Sequence, residues 1–180
     1  ENMESSVLQD HPFDPKFIFV QTPKWKNLEN DSKKAFDKLR KKLEKNVVDF
    51  QDPSSFEKIF EYQQVIMETD MAHNLSYFYE AHKNKIGKKL REAIERGQSY
   101  KSKDYAEAVD NIETIYDNMS ELFHHFHAII TPATTGEAPK GLAHTGSPEF
   151  CTIWTYLGMP SISLPILEGS NKMPLGVQVV

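Results

Sequence analysis

The 180-residue chain has 39% apolar and 26% charged residues, the composition of an ordinary globular domain with a real core, which excludes disordered and fibrous classes. Its apolar runs fall far short of the ~20 residues a bilayer span needs, and a formal net charge of -5 argues against a general phosphate-binding surface. Neither a membrane nor a nucleic acid is therefore expected as a partner. The acidic, polar first ten residues do not resemble a secretory signal, and the lone Cys151 cannot make an internal disulfide, so a cytoplasmic location is expected.

Residues 1–15 carry acids, serines and two prolines without a period and read as a connector. "KFIFVQ" follows as a short strand bracketed by Pro15 and Pro23, its continuous apolar content predicting burial on both faces. From Glu29 to Asn46 a helix is predicted, with Phe36, Leu39, Leu43 and Val47 on one face. Ser54 and Glu57 form a capping box ahead of Phe56, Ile59, Phe60, Ile66 and Met67, so a second helix starts there. "MAHNLSYFYEAH" reads as its continuation or as a separate short helix. Ile86 to Glu95 predicts one more, ended by Gly97. Tyr105, Val109, Ile112, Tyr116, Met119, Phe123 and Phe126 then step four and three residues apart. This stripe reads as one long helix lying on a sheet, with a three-heptad coiled coil as the alternative.

"AIITPAT" returns to a strand, and an irregular stretch leads to a short helix around Phe150 to Leu157. Strands in "SISLPIL" and "GVQVV" finish the chain. A helical region over about 29–127 and a sheet-forming region over about 128–180 together predict one α/β domain spanning 16–180. Because it closes on an apolar strand without a polar tail, the chain is expected to be a portion of a longer protein.

Several stretches invite a chemical reading. The run "KKAFDKLRKKLEK" could be a membrane-surface or calmodulin-target helix, but Glu29, Asp31, Asp37 and Glu44 break its field, and a solvated face is expected. His124, His125 and His127 suggest a metal, with His73 and His82 as further ligands. Only His124 and His127 share a helical face, no acid or Cys completes a tetrahedral set, and no metal is expected. "SFEK" places Ser55 and Lys58 at Ser-x-x-Lys spacing, yet the companion elements of penicillin-recognising enzymes are absent. Cys151 as a nucleophile would need a base, for which His144 is the nearest in sequence. The eight glycines form no phosphate loop. Taken alone, these residues contain no catalytic set.

The end of the chain carries a more specific signal. "AIITPATTGEAPKG", "FCTIWTYLGMPSISLPILEG" and "MPLGVQVV" resemble, in order, the C-terminal hallmark of the amidase-signature hydrolases: a strand ending in Thr-Pro, a loop with Ala-Pro, a short helix into Gly-x-Pro, a Ser-x-x-Pro strand and a Pro-x-Gly-x-Gln strand. "IMETDMAHNLSYFYEAH" and "FIFVQTPKW" are similar to the helical stretch and strand between that family's catalytic core and its hallmark. Gly158 and Pro160 suit the end of the short helix, and Gly176 suits a tight entry into a buried strand.

The resemblance implies the C-terminal part of the amidase-signature fold, a mixed β-sheet flanked by helices, and hydrolysis of a C–N amide bond. The family uses a Ser, a second Ser in a cis peptide and a Lys, with backbone N–H groups of a Gly-rich loop holding the oxyanion. Those motifs are not among these residues. Ser5-Ser6 and Ser54-Ser55 lack the flanking glycines, so no catalytic residue is assigned and no cofactor is expected. Phe150, Ile153 and Trp154 are the candidates for lining the cleft of a small amide substrate, core packing being their other reading. Where the family often has Asn, three residues before the Gly of Gly-x-Pro, this chain has Thr155. A glutaminase subunit of a tRNA-dependent amidotransferase and a non-catalytic helical interaction module are the alternative functions. Unpaired strand edges predict poor solubility or prominent oligomerisation, a homo-oligomer being one such form.

Overall fold

A computed structural model describes residues 14–50 and 56–180. Its strands are β1 (Phe17–Phe19), β2 (Val47–Asp49), β3 (Ala128–Pro132), β4 (Ile162–Glu168) and β5 (Pro174–Val179). The helices are α1 (Asn30–Leu43), α2 (Glu57–Asn74), α3 (Ser76–His82), α4 (Lys88–Ser99), α5 (Ser102–Ser120) and α6 (Thr152–Tyr156). Among the described residues the strands form one sheet in the order β2-β1-β3-β5-β4. β1 runs parallel to β2 and β3, whereas β5 is antiparallel to both β3 and β4.

Alternation along the strands divides the core into two layers. Ile18, Val20 and Ile129 face α2, α5 and α6 in a cluster that includes Ile59, Val65, Ala108, Ile153, Trp154 and Tyr156. Phe19, Ile130 and Val177 face the other way, toward Leu28, Phe36 and Phe150. On that side Trp25 packs edge-on to Phe19 at 5.6 Å between ring centroids. The double-sided burial expected of "KFIFVQ" is thus present, with helices on both faces of the sheet.

Three expectations are corrected. Val47 does not belong to the helical face. α1 stops at Leu43, Glu44 adopts a left-handed φ of 43°, and after a tight turn Val47 to Asp49 become β2, held by pairing with β1. Arg40 on α1 binds the Asp49 carboxylate and ties the two elements together.

Gly97 does not end its helix, which runs on to Ser99. A Cβ there would lie 1.9 Å from the Glu68 carbonyl oxygen, so glycine is required because α4 and α2 touch backbone to backbone.

The long stripe forms one helix ending at Ser120, but only alternate members of it, Tyr105, Ile112 and Met119, join the core cluster with α2 and the sheet residues Ile18 and Ile129. Ala108 and Met119 are buried, while Val109, Tyr116 and Phe123 are exposed. It is packed into the main core by Tyr156, whose hydroxyl donates to the Ala108 carbonyl at 2.6 Å. Burial pushes that phenol up to about 12.

"MAHNLSYFYEAH" resolves into the end of α2 and a separate α3, with the break at Leu75. The capping box at Ser54, the Ser55 of "SFEK" and nearly all of the 1–15 connector lie outside the described residues.

Candidate functional site

Three pieces of backbone meet near the sheet's α2 side, and of these the loop before α6 and α6 itself line an open concavity together with α2. The first is the loop leaving β3. Glu29 N–H donates to the Thr135 carbonyl at 2.8 Å, and the Glu137 carboxylate accepts from the Asn171 amide, the Asn171 side chain and the Met173 amide at 2.9, 2.7 and 3.2 Å. One carboxylate therefore fastens the loop to the β4–β5 turn with hydrogen bonds to a charged acceptor, the stronger kind. Further along, Asn27 Nδ2 donates to Glu149 at 2.8 Å.

The second piece is α6. Its short length follows from Gly158, which takes a φ of 63° and lets Met159 N–H donate back to the Trp154 carbonyl at 3.0 Å. This Gly-terminated end agrees with the expectation for Gly158. One side of the helix turns Ile153, Trp154, Tyr156 and Leu157 into the core, and Phe150, just before it, enters the opposite layer. Phe150, Ile153 and Trp154 are 0%, 0% and 1% exposed. They back the wall. The side chains on its open surface are Cys151, Thr152 and Thr155, which with Lys24, Phe60, Gln63, Gln64 and Met67 line a concavity of about 480 Å³.

The third piece is the β4–β5 hairpin. Its register aligns Thr131, Gln178 and Ser163 across three strands, so one face carries small polar groups side by side. Gly176 makes this possible: a Cβ there would lie 2.6 Å from Ser163 Oγ and 2.9 Å from the Ala133 Cβ. The Gln178 amide donates to Ser161 Oγ at 3.2 Å and reaches Cys151 Sγ at 4.0 Å, linking hairpin to wall. The Cys151 thiol donates to the Ala133 carbonyl at 3.5 Å, while His144 sits on an exposed loop. Cys151 is thus bound into the wall by backbone and carboxamide groups.

The concavity's lining includes a nearly buried carboxylate that nothing local in the sequence announced. Glu68 is 2% exposed. It accepts two bonds from Arg96 Nε at 3.1 Å, one from Tyr100 Oη at 3.0 Å and one from Gln64 Nε2 at 3.3 Å. Burial pushes its carboxyl up, but the bonds from Arg96, Tyr100 and Gln64 outweigh that and hold it below the usual carboxylate range. The Lys24 ammonium rests over the Phe60 ring, 4.5 Å from its centroid. Apart from Gln64, one turn before Glu68 on α2, the partners of Glu68 lie 28 and 32 positions away, beyond any helical period.

The histidine run is dispersed. His127 Nδ1 accepts from the Lys16 amide at 3.0 Å and His124 lies 3.6 Å from Glu121. Among the described residues no three His, Cys, Asp or Glu side chains are gathered as metal ligands. Lys58 faces Glu107 at 3.9 Å and the Tyr62 ring. Chemically, the arrangement offers a shaped wall with carboxamides, hydroxyls and one cation, suited to binding and orienting.

A mixed sheet with helices on both faces, beside an open concavity, defines an α/β scaffold. The chain belongs to the Amidase family, whose profile matches residues 12–180. Solved structures share the fold. One, described as an amidase, is 23% identical with a TM-score of 0.79, covering 94% of this chain and 42% of its own. A chain of an inhibitor-bound vestigial protein complex, described as revealing the evolutionary origins of an s-triazine catabolic enzyme, is 20% identical with a TM-score of 0.78, covering 97% of this chain and 40% of its own. The 6-aminohexanoate cyclic dimer hydrolase bound to its substrate is 17% identical with a TM-score of 0.68, covering 95% and 42%. The chain thus spans about two fifths of the length of these structures. No curated protein matches it in sequence. Among the described residues no helix is long and apolar enough to cross a membrane.

Proposed function

We propose that this chain supplies the sheet and one substrate-facing wall of an amide hydrolase acting on a C–N bond, and that the bond-breaking groups come from the part of the domain it does not span. The reading is carried by one observation: α2, α6 and the loop before α6 line a concavity, and the β4–β5 hairpin holds that wall through the Gln178 contact with Cys151. Family membership and the shared fold support amide hydrolysis as the reaction class.

In the complete enzyme a Ser-cisSer-Lys set attacks the amide carbonyl, forms an acyl-enzyme and releases it to water. Residues of this chain then shape the acyl or amine site. Phe60 and Met67 offer apolar contact, Gln63, Gln64, Thr152 and Thr155 offer hydrogen bonds, and buried Phe150, Ile153 and Trp154 hold that surface rigid. The substrate is a small amide, and the setting is cytoplasmic, in keeping with a single unpaired Cys151. A glutaminase subunit is the second reading. It is disfavoured because Glu68 and Glu149, the acidic side chains lining the concavity, are already engaged by Arg96 and Asn27.

The test is covalent capture. A serine-directed fluorophosphonate, applied to the complete polypeptide and mapped by mass spectrometry, is expected to label one serine outside residues 1–180. Labelling of a serine within them, or none at all, contradicts the proposal.

A further inference from the structure

The concavity lies where the connectivity of the sheet reverses. From β1 the chain passes through α1 to β2 on one side, then through α2 to α5 to β3 on the other, and the three strands are parallel. α1 packs on the Phe19 and Ile130 face, α2 and α5 on the Ile18 and Ile129 face. In open sheets of this kind ligands bind outside the carboxyl ends of the strands at the reversal. The lining obeys that rule: Lys24 comes from the turn after β1, Phe60 to Glu68 from the helix after β2, and Ser147 to Thr155 from the segment after β3.

Three charged side chains stand in this lining, and one of them has no polar partner. Glu68 is held by Arg96, Tyr100 and Gln64, and Glu149 accepts from Asn27 Nδ2 at 2.8 Å. The Lys24 ammonium makes no hydrogen bond or ion pair among the described residues. Its contact is the face of the Phe60 ring, 4.5 Å from the centroid. Lys24 is half-buried, and the ring attracts its charge without accepting from any of its N–H donors. Its other neighbours in the lining, Gln63, Thr152 and Thr155, are neutral.

The geometry points to Lys24 as a specificity-determining residue that receives a carboxylate carried at the non-reacting end of the substrate, making the substrate class anionic amides. The assignment rests on the proposed function in taking this concavity for the substrate site. A carboxylate accepts a charge-assisted bond from the ammonium, about twice as strong as a neutral one, while Phe60 and Met67 cover the methylenes between carboxylate and amide. A neutral amide of equal length leaves the ammonium without an acceptor in a partly dehydrated site. Glu149, beyond ion-pair distance of Lys24, does not fill that role.

Steady-state kinetics of the complete polypeptide on matched pairs tests this. Succinamate, glutaramate and adipamate are compared with butanamide, pentanamide and hexanamide, and N-acetylated ω-amino acids with N-alkylacetamides of equal length. At least one anionic amide is expected to exceed its neutral partner by about tenfold in kcat/KM, chiefly through KM. Lys24→Met is expected to bring that ratio to within about twofold, and Lys24→Arg to keep most of it. Lys26→Met, at an exposed neighbour, leaves it unchanged. Calorimetric titration with glutarate and adipate needs no turnover, and Lys24→Met should weaken the binding of one of them by about tenfold. Equal kcat/KM within every pair, a preference that survives Lys24→Met, or an equal loss on anionic and neutral amides overturns the assignment. Neutral amides turned over with no such preference remove the anion subsite alone. Lys24-dependent binding of glutarate or adipate without turnover of any amide removes the amidase reading alone, and neither binding nor turnover removes both.

Discussion

The middle of the sheet and its β4 end are built on opposite terms. In β1 and β3, Phe19, Ile129 and Ile130 are at most 5% exposed and have helices on both faces. β4 has one hydrogen-bonded neighbour, a register shift between Leu164 and Leu167 at Pro165, and two isoleucines in the open. Proline and a bulge discourage indiscriminate edge pairing, yet the apolar face is what a strand carries when a further layer covers it. The contrast teaches that the packed core lies around α2, α5 and α6, while β4 leaves apolar side chains in the open.

That division can be broken by substitutions of graded effect. The largest is expected at Trp154, whose ring is 1% exposed and meets Phe56 at 6.4 Å. Trp154→Ala should cost about 3–5 kcal/mol in denaturant unfolding, whereas a surface residue of the cleft would cost little. Gly97→Ala follows. It pushes a methyl into the Glu68 backbone and should cost about 3 kcal/mol, the upper range for overpacking.

Glu68→Gln is next, at about 2 kcal/mol near neutral pH through loss of charge-assisted bonds. Its sign against pH is definite. Because the folded carboxyl titrates below its ordinary value, wild-type Glu68 stabilises above about pH 4.3, the unfolded value, and that contribution disappears as pH falls through the folded one. The gap between wild type and Glu68→Gln should therefore close in acid. A gap that widens in acid contradicts the placement of Glu68. The smallest effect is expected at β4. Ile166→Thr should change the stability of the chain itself by no more than about 0.5 kcal/mol, and a loss comparable to that of Trp154→Ala would show that β4 is already a core strand.

How much of this was legible in the sequence follows the same division. The hallmark strands were readable because their glycines and prolines sit where the backbone needs them: Gly158 in left-handed conformation, Pro165 at the register shift, Gly176 under Ser163. The long helices were readable from period alone. β2 was not, because Val47 continues the helical spacing of Leu39 and Leu43, and only a partner strand 30 residues earlier in the chain decides otherwise. Gly97 reads locally as a stop signal, and its true cause lies on another helix. In the candidate site, the hallmark located the short helix α6 itself. Which side of so short a helix faces the cleft depended on two core layers meeting at it, so the bulky Phe150, Ile153 and Trp154 went inward and the small Cys151, Thr152 and Thr155 outward. The Glu68–Arg96–Tyr100 cluster left no mark in the sequence at all.

The most direct test compares steady-state turnover of a panel of small amides by the complete polypeptide and by residues 1–180 alone. The complete polypeptide is expected to hydrolyse at least one amide and the shorter chain none, since among the described residues none places an activated hydroxyl at the wall. Sustained turnover by the 180-residue chain, abolished by Ser55→Ala, would contradict the account.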